Sequence, residues 1–136
     1  MKVEQAIELA IDTLQYSYAP YSRFQVAAVL VTGDGKAYTG VNVENAAYPA
    51  TNCAERTAFF KAVSEGVKKF DYIVIVGGID GVLSNHTSPC GICRQVMREF
   101  GNPKTFRVIL AKSPTDYKEF RLEELLPLSF GPEDLV

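Results

Sequence analysis

The sequence predicts an α/β fold in which a mixed sheet carries helices on its faces. Apolar runs typical of strands alternate with segments of helical periodicity, in the order α-β-β-α-β-α-β-(β)-α. A helix separates the strand ending near position 79 from the one beginning near position 106, so these two strands should pair in parallel. The length of 136 residues predicts a single domain over residues 1–136.

The N-terminal segment predicts an amphipathic helix over residues 3–18. Apolar side chains recur there at helical spacing and share one face: Ile7, Ala10, Ile11, Leu14 and Tyr18. Ala19-Pro20 ends this helix, because the residue before a proline disfavours helical backbone. A strand over Gln25–Thr32, a turn at Gly33–Lys36 and a returning strand over Ala37–Val43 then form a hairpin.

The rest of the chain alternates helices with strands. A loop over Asn45–Asn52 leads to a helix over Cys53–Glu65, which Gly66 ends. Tyr72–Ile79 is an unbroken apolar run, typical of an inner strand. The remaining predicted elements are a polar loop over Asp80–Pro89, a helix over Cys90–Phe100, a strand over Phe106–Ala111, an edge strand over Tyr117–Leu122 and a helical turn over Glu123–Leu126.

Composition argues against several classes of protein. The net charge of −2 argues against a nucleic-acid partner, which would need a basic face, and against a polybasic membrane anchor. No apolar run is long enough for a membrane span, and the first residues lack the pattern of a secretory signal. We therefore expect a cytoplasmic protein without a membrane or nucleic-acid partner. Three cysteines are an odd number, which argues against a disulfide framework.

The three cysteines lie in two short motifs that predict a metal site. Cys53 opens one predicted helix, and Cys90-Gly91-Ile92-Cys93 opens another. Two thiols one helical turn apart can face one ion, and backbone N–H groups at a helix start favour thiolates. Three sulfur ligands leave the fourth position of a tetrahedral Zn²⁺ open for water, which is typical of catalytic rather than structural zinc.

Charged side chains beside these cysteines extend the prediction to catalysis. Glu55 follows Cys53 by two residues, where a carboxylate can take a proton from water and pass it to a substrate. Zinc held by three thiolates is a weaker Lewis acid than zinc held by three neutral imidazoles. Arg56 follows Cys53 by three residues, and Arg94 directly follows Cys93. An arginine that hydrogen-bonds a cysteine sulfur draws charge away from it.

The motifs C-A-E and P-C-G-I-C resemble the all-cysteine form of the zinc deaminase signature. The resemblance is to cytidine deaminases of the short, homotetrameric type, and it extends over blocks from the N-terminus to the tail. These blocks are residues 18–26, 40–48, 53–58, 88–96 and 125–130. The resemblance implies a three-layer sandwich with a mixed five-stranded sheet, one Zn²⁺ per chain, and conversion of cytidine and deoxycytidine to the uridine nucleosides in pyrimidine salvage.

The resemblance also implies roles for individual residues. Cys53, Cys90 and Cys93 would hold the zinc, and Glu55 would be the catalytic proton shuttle. The substrate-binding residues would include Phe24 against the base and Asn42 and Glu44 on the ribose hydroxyls; the others are Ala46, Tyr48, Ala54 and Phe130. The segment through Ala46 and Tyr48 would complete a pocket across a subunit boundary, and Phe130 would close a neighbour's site, so a homotetramer with shared sites is expected.

Other interpretations of the motifs remain open at this point. The cysteines could be buried core residues without a metal, or Cys90 and Cys93 could form a redox pair. The metal could serve only to hold two helices together in a binding module. A sibling deaminase could act on another amino-pyrimidine such as a nucleobase or a nucleotide, on a nucleoside antibiotic, or on a base in nucleic acid.

One segment departs from the family pattern. The loop over Asp80–Thr87 is longer than the usual connection and contains His86, the only histidine. We expect His86 to be an exposed loop residue rather than a fourth zinc ligand.

Overall fold

A five-stranded sheet forms the centre of the protein in the computed structural model, which describes residues 1–136. In chain order the strands are β1 (Phe24–Val31), β2 (Ala37–Val41), β3 (Tyr72–Ile79), β4 (Arg107–Ser113) and β5 (Asp116–Arg121). They lie in the order β2-β1-β3-β4-β5. β3 and β4 are parallel, as predicted, and all other neighbours are antiparallel, so the sheet is mixed.

Helices cover both faces of this sheet, which confirms the predicted three-layer arrangement. They are α1 (Val3–Thr13), α2 (Ala54–Ser64), α3 (Gly91–Phe100) and α4 (Leu122–Leu125). α1 packs on one face, whereas the other three helices pack on the opposite face. None of the helices has the combination of length and hydropathy that a membrane span needs.

Side-chain alternation along the strands divides the core into two layers. In β3, Ile73 and Ile75 face α2 and α3, while Val74 and Val76 face α1. This period-two alternation is inherent in strand geometry. Because both faces are covered, β3 is an unbroken apolar run, and the inner-strand prediction for Tyr72–Ile79 is confirmed.

The predicted helix over residues 3–18 is too long. α1 ends at Thr13, and a single 3-10 turn follows over Leu14–Tyr16. Tyr18 therefore does not share the packed face, and its side chain is exposed. The cause is tertiary pairing, because the Tyr18 N–H donates to the Asn42 carbonyl and the Glu44 N–H donates to the Tyr18 carbonyl. The other predicted helices and strands agree with the structure to within two residues at each end.

Close packing between α2 and β2 depends on Gly40. A Cβ at this position would lie 2.5 Å from the backbone nitrogen of Ala58 and closer still to the Ala54 carbonyl oxygen. Both atoms belong to the backbone of α2, so a side-chain rotation could not relieve the clash. Gly40 thus sets how closely the helix that begins beside Cys53 approaches the sheet.

We expect Gly40→Ala to lower the free energy of unfolding by about 1–3 kcal/mol, because it overpacks a close backbone contact. Gly33→Ala is the matched control, since a Cβ there has nothing within 4 Å. It should change stability by less than about 0.5 kcal/mol. Chemical denaturation of both variants measures the difference, and equal stabilities would contradict this account of the α2–β2 contact.

Candidate active site

Two helix starts bring the three cysteines together at one end of the sheet. Cys53 is the N-cap of α2 and Cys90 is the N-cap of α3, both with extended backbone. Cys93 follows in the first turn of α3. The Sγ atoms of Cys53 and Cys90 are 3.8 Å apart, and all three sulfurs lie within 4.8 Å of one another. The structure therefore places the predicted ligands in one cluster.

The shared hydrophobic layer explains why these helix starts meet. α2 and α3 pack on the same face of the sheet, where Phe59 of α2 stacks on Phe100 of α3 with ring centroids 5.9 Å apart. Ala58 and Met97 are fully buried in the same cluster. The apolar contacts farther along the helices fix the relative position of their N-termini.

The sulfur geometry fits a tetrahedral zinc ion. A Zn–S bond of about 2.3 Å in a tetrahedron separates two ligand sulfurs by about 3.8 Å. The Sγ atoms of Cys53 and Cys90 have this separation, and all three cysteines are free thiols. The cluster contains no fourth side-chain ligand. The site is therefore of the open, three-ligand kind that catalytic zinc uses.

Hydrogen bonds at the sulfurs favour a thiolate at Cys53. The Cys93 thiol and the Arg56 guanidinium lower the pKa of Cys53 to about 5. Arg56 Nη2 donates to Cys53 Sγ at 3.2 Å. The pKa of Cys93 is raised, first because its thiol shares a hydrogen bond with Cys53 and second because it is buried. The first thiolate of the site thus forms beside a fixed positive charge.

Arg94 does not make the expected hydrogen bond that would draw charge from a cysteine sulfur. Its guanidinium donates to the Pro89 carbonyl at 2.9 Å, to the Ser88 hydroxyl at 2.8 Å and to the Leu125 carbonyl at 2.5 Å. No cysteine sulfur is among its hydrogen-bond partners. Arg94 therefore ties the segment before Cys90 to the C-terminal part of the chain, and Arg56 alone donates to a sulfur.

Glu55 lies in the first turn of α2 and is only 4 % exposed. Burial, together with the negative charge of Cys53, raises the pKa of its carboxyl to about 7. A carboxyl with such a pKa exchanges protons readily near neutral pH. A structural zinc site has no need of this buried acid, so Glu55 argues for chemistry at the cluster.

A cavity of about 240 Å³ opens over Glu55, Cys53 and Cys90, whereas Cys93 is fully buried and does not line it. Seven residues singled out from the sequence line it or lie at its floor, namely Phe24, Asn42, Glu44, Cys53, Ala54, Glu55 and Cys90. Ala54 lines the cavity as the first residue of α2, so its N–H has no partner within the helix. The cavity joins the metal cluster to a polar wall.

Asn42 forms part of that polar wall and is nearly buried. Its Oδ1 accepts hydrogen bonds from the Val26 N–H at 2.9 Å and from the Ser17 hydroxyl. Its Nδ2 donates to the Phe24 carbonyl at 2.7 Å. Both acceptor positions of the amide oxygen are in use, so the second amide hydrogen is what Asn42 can offer to a ligand.

Glu44 lies beside Asn42 and is held as a carboxylate. It accepts hydrogen bonds from the Tyr21 N–H at 3.0 Å, the Ser22 N–H at 3.1 Å and the Ser22 hydroxyl. The Ser22 hydroxyl, followed by the backbone N–H groups, holds the pKa of Glu44 below its usual range. The wall thus pairs a donor, Asn42, with an acceptor, Glu44.

Three of the predicted substrate-binding residues do not line the cavity of their own chain. Ala46 and Tyr48 lie on the surface, where the Tyr48 ring meets the Tyr21 ring edge-on with centroids 6.5 Å apart. Phe130 lies in the C-terminal segment with 59 % of its surface exposed. Tyr48 instead lines a neighbouring groove, which shares Ser22, Glu44 and Thr51 with the cavity.

His86 is not part of the sulfur cluster. Its Nε2 lies 3.0 Å from Asp116 Oδ1, and its side chain is 20 % exposed rather than fully in solvent. The imidazole holds the pKa of Asp116 below its usual range. The loop histidine thus fastens the long loop over Asp80–Thr87 to the start of β5.

Sequence reasoning missed several residues that shape the cavity. Ser22 binds Glu44, and Ser17 binds Asn42, yet neither belongs to a metal or catalytic motif. Thr51, Asn52, Thr87 and Ser88 also line the cavity. Ser22 and Ser88 lie in the blocks of resemblance over residues 18–26 and 88–96, which was the available signal for them. The other four residues lie outside these blocks, and their contacts join elements that are distant in sequence.

Comparisons with known proteins agree with this site. The family model for the cytidine and deoxycytidylate deaminase zinc-binding region matches residues 1–109. A cytidine deaminase from Sporosarcina psychrophila is 46% identical over 135 residues, covering 99% of this chain and 96% of the relative. A probable cytidine deaminase from Dictyostelium discoideum is 43% identical, covering 99% of this chain and 88% of the relative.

A solved structure shares the fold. The crystal structure of cytidine deaminase from Burkholderia pseudomallei superposes with a TM-score of 0.86 at 43% identity, covering 96% of this chain and 100% of that chain. The fold and site define a zinc-dependent hydrolytic enzyme of the α/β class. The chain belongs to the cytidine and deoxycytidylate deaminase family, which confirms the family predicted from the sequence.

Metal content tests the ligand assignment directly. We expect about one zinc per chain in the native protein and loss of most of it in Cys93→Ser, because only two thiolates remain. His86→Ala is the matched control and should keep its zinc, since His86 contacts Asp116 instead of the cluster. Elemental analysis of purified, dialysed protein measures both. Full zinc retention by Cys93→Ser, or zinc loss by His86→Ala, would contradict the assignment.

Proposed function

We propose that this protein is a cytidine deaminase, which converts cytidine and 2′-deoxycytidine with water to uridine and 2′-deoxyuridine plus ammonia. The observation that carries the proposal is the buried Glu55 carboxyl beside a three-thiolate zinc site at the floor of a cavity. The two relatives above support it, since one is named cytidine deaminase and the other probable cytidine deaminase, and their similarity covers 99% of this chain. Such a reaction belongs to the salvage of pyrimidine nucleosides.

The chemistry requires a proton carrier beside the zinc. Cys53, Cys90 and Cys93 would hold the zinc, which when bound would supply a Lewis acid that lowers the pKa of water. Glu55 would take one proton from the attacking water and pass it to N3 of the base, which makes C4 electrophilic, and the water oxygen would add to C4. Glu55 would then move the remaining proton of that oxygen to the amino group, so that the C4–N bond breaks and ammonia leaves. One carboxyl with a pKa of about 7 can perform both transfers.

The cavity walls supply the groups that would orient a nucleoside. The free amide hydrogen of Asn42 can donate to a ribose hydroxyl, and the carboxylate of Glu44 can accept from one. Phe24 offers its ring to the base, and the Ala54 N–H can donate to the base carbonyl. Contacts to the sugar place C4 at the metal, so remote binding energy contributes to the rate.

Charge favours a free nucleoside over a phosphorylated one. Glu44 is held ionised by Ser22, and its carboxylate would repel a phosphate on the sugar. The net charge of −2 also disfavours a polynucleotide. Deaminases that act on nucleotides or on bases in nucleic acid are therefore the weaker candidates.

The size of the cavity favours a site shared between subunits. A volume of about 240 Å³ is small compared with the roughly 300–1,000 Å³ of small-molecule pockets. We propose that Ala46, Tyr48 and Phe130 serve the site of a neighbouring copy in a homotetramer. Residues 1–136 would form one deaminase domain in each subunit. A cytoplasmic location stays a prediction.

Glu55→Gln tests the catalytic role without removing the metal ligands. We expect turnover of cytidine to fall by at least about 10³-fold, because the amide cannot carry the proton. Zinc content should stay at about one per chain, since the three cysteines that hold the metal are unchanged. The fall in absorbance as cytidine becomes uridine measures the rate. Near-native turnover in Glu55→Gln would refute the proton-shuttle role.

Ser22→Ala tests the electrostatic state of Glu44. Loss of the hydroxyl should raise the pKa of Glu44 toward its ordinary value of about 4.3. As the pH falls from about 5.5 to 4, through the ordinary glutamate range, Glu44 is protonated at a higher pH in the variant than in the native protein. The variant should therefore lose affinity for the product uridine at higher pH. Competitive inhibition by uridine across this range measures the effect, and parallel pH profiles would contradict it.

A further inference from the structure

Arg98 is a buried charge that the proposed reaction does not use. Among the acidic and basic residues only Glu55 and Arg98 are buried, and the Arg98 side chain is 9 % exposed. Burying a guanidinium is unfavourable unless its donors are bonded. Nε donates to the Ser129 hydroxyl at 2.8 Å, and the two terminal nitrogens donate to the Glu133 carboxylate. All these partners lie in the C-terminal segment.

Gly131 provides the space that the guanidinium occupies. A Cβ at Gly131 would lie 2.6 Å from Nη2 of Arg98 and closer still to Cζ and Nη1. The guanidinium plane therefore packs directly on the backbone of the C-terminal segment. The edge of the guanidinium bonds Ser129 and Glu133. Arg98 therefore contacts Ser129, Gly131 and Glu133, which alternate with Phe130 and Pro132 along the chain.

One side of α3 holds the whole C-terminal segment. Arg94 donates to the Leu125 carbonyl, and Gln95 Nε2 donates to the Phe130 carbonyl at 2.8 Å. Arg98 follows four residues after Arg94 and three after Gln95, so the three side chains share one helical face. Cys93, a proposed zinc ligand, belongs to the same helix. The segment is thus fastened to the helix that carries part of the metal site.

These contacts leave the Phe130 ring exposed on a fixed backbone. Ser129 before it and Gly131 after it are held by Arg98, and its own carbonyl is held by Gln95. Phe130 is nevertheless 59 % exposed. An aromatic side chain on an ordered backbone loses little conformational freedom when a partner covers it, which favours its use as a preorganised contact.

We propose that Arg98 is a positioning residue that fixes the C-terminal segment on α3 and so presents Phe130 to the active site of a second copy of this chain. The inference rests on the proposed function, in which sites are shared between subunits. It adds the group responsible for the position of Phe130. Arg98 touches neither substrate nor zinc and acts only through the segment that it holds.

A double-mutant cycle between Arg98 and Phe130 tests the proposal. Arg98→Lys keeps the charge but cannot bond Ser129 and Glu133 with a planar fork. We expect it to raise KM for cytidine by about fivefold or more, with kcat within about twofold, as when one aromatic contact is lost. Phe130→Ala should have the same effect. In the Phe130→Ala background, Arg98→Lys should add no further change in KM.

Two further variants separate positioning from general damage. Gly131→Ala should reproduce the rise in KM with Arg98 intact, because its Cβ displaces the guanidinium. Arg107→Lys is the matched control; Arg107 pairs with Asp71 and Glu119 away from the C-terminal segment and should leave KM unchanged. Zinc content and thermal unfolding show whether each variant is folded. If Arg98→Lys does not fold, Gly131→Ala provides the test.

The outcomes distinguish this inference from the proposed function. If the native protein does not deaminate cytidine, the proposed function is overturned. The native protein could deaminate cytidine while the KM effects of Arg98→Lys and Phe130→Ala multiply in the double variant. That result would overturn the inference alone, because Arg98 would then act independently of Phe130. An unchanged KM in folded Arg98→Lys and Gly131→Ala would overturn it as well.

Discussion

The convergence of two helix N-termini at one end of the sheet is the constraint on which the rest of the structure depends. Cys53 and Cys90 cap α2 and α3, and their sulfurs lie at the separation of two ligands on one tetrahedral zinc. This convergence follows from apolar packing farther along both helices. Gly40 lets α2 approach the sheet, and the Phe59–Phe100 contact joins α2 to α3. The core therefore determines the geometry of the metal site.

The site divides its electrostatic tasks between two carboxyl groups in different environments. Glu55 is buried beside the sulfur cluster, and this burial raises its pKa to about 7, so it can gain and lose a proton. Glu44 is half-buried and accepts three hydrogen bonds, so it remains a carboxylate that can orient a sugar hydroxyl. Environment thus assigns one acid to proton transfer and the other to binding, as in other enzymes with paired carboxyl groups.

Local patterns predicted the helices, the strands and the metal cluster, because strand alternation, helix starts and cysteine spacing each depend on a short stretch of sequence. The end of α1 was not predictable in this way, since the pairing of Tyr18 with residues 42 and 44 stops the helix. The contacts of Arg94 and Arg98 with the C-terminal segment also escaped prediction. Each joins positions about thirty residues apart, and no local pattern encodes such a contact.

Parallel assay of zinc and cytidine turnover on one sample tests the central claim most directly. Zinc would be withdrawn stepwise with a chelator and then restored, while cytidine conversion is followed by ultraviolet absorbance. We predict that activity falls in proportion to zinc, from about one ion per chain, and returns when zinc is added. Undiminished cytidine conversion by zinc-free protein, or zinc-loaded folded protein that leaves cytidine unchanged, would contradict this claim.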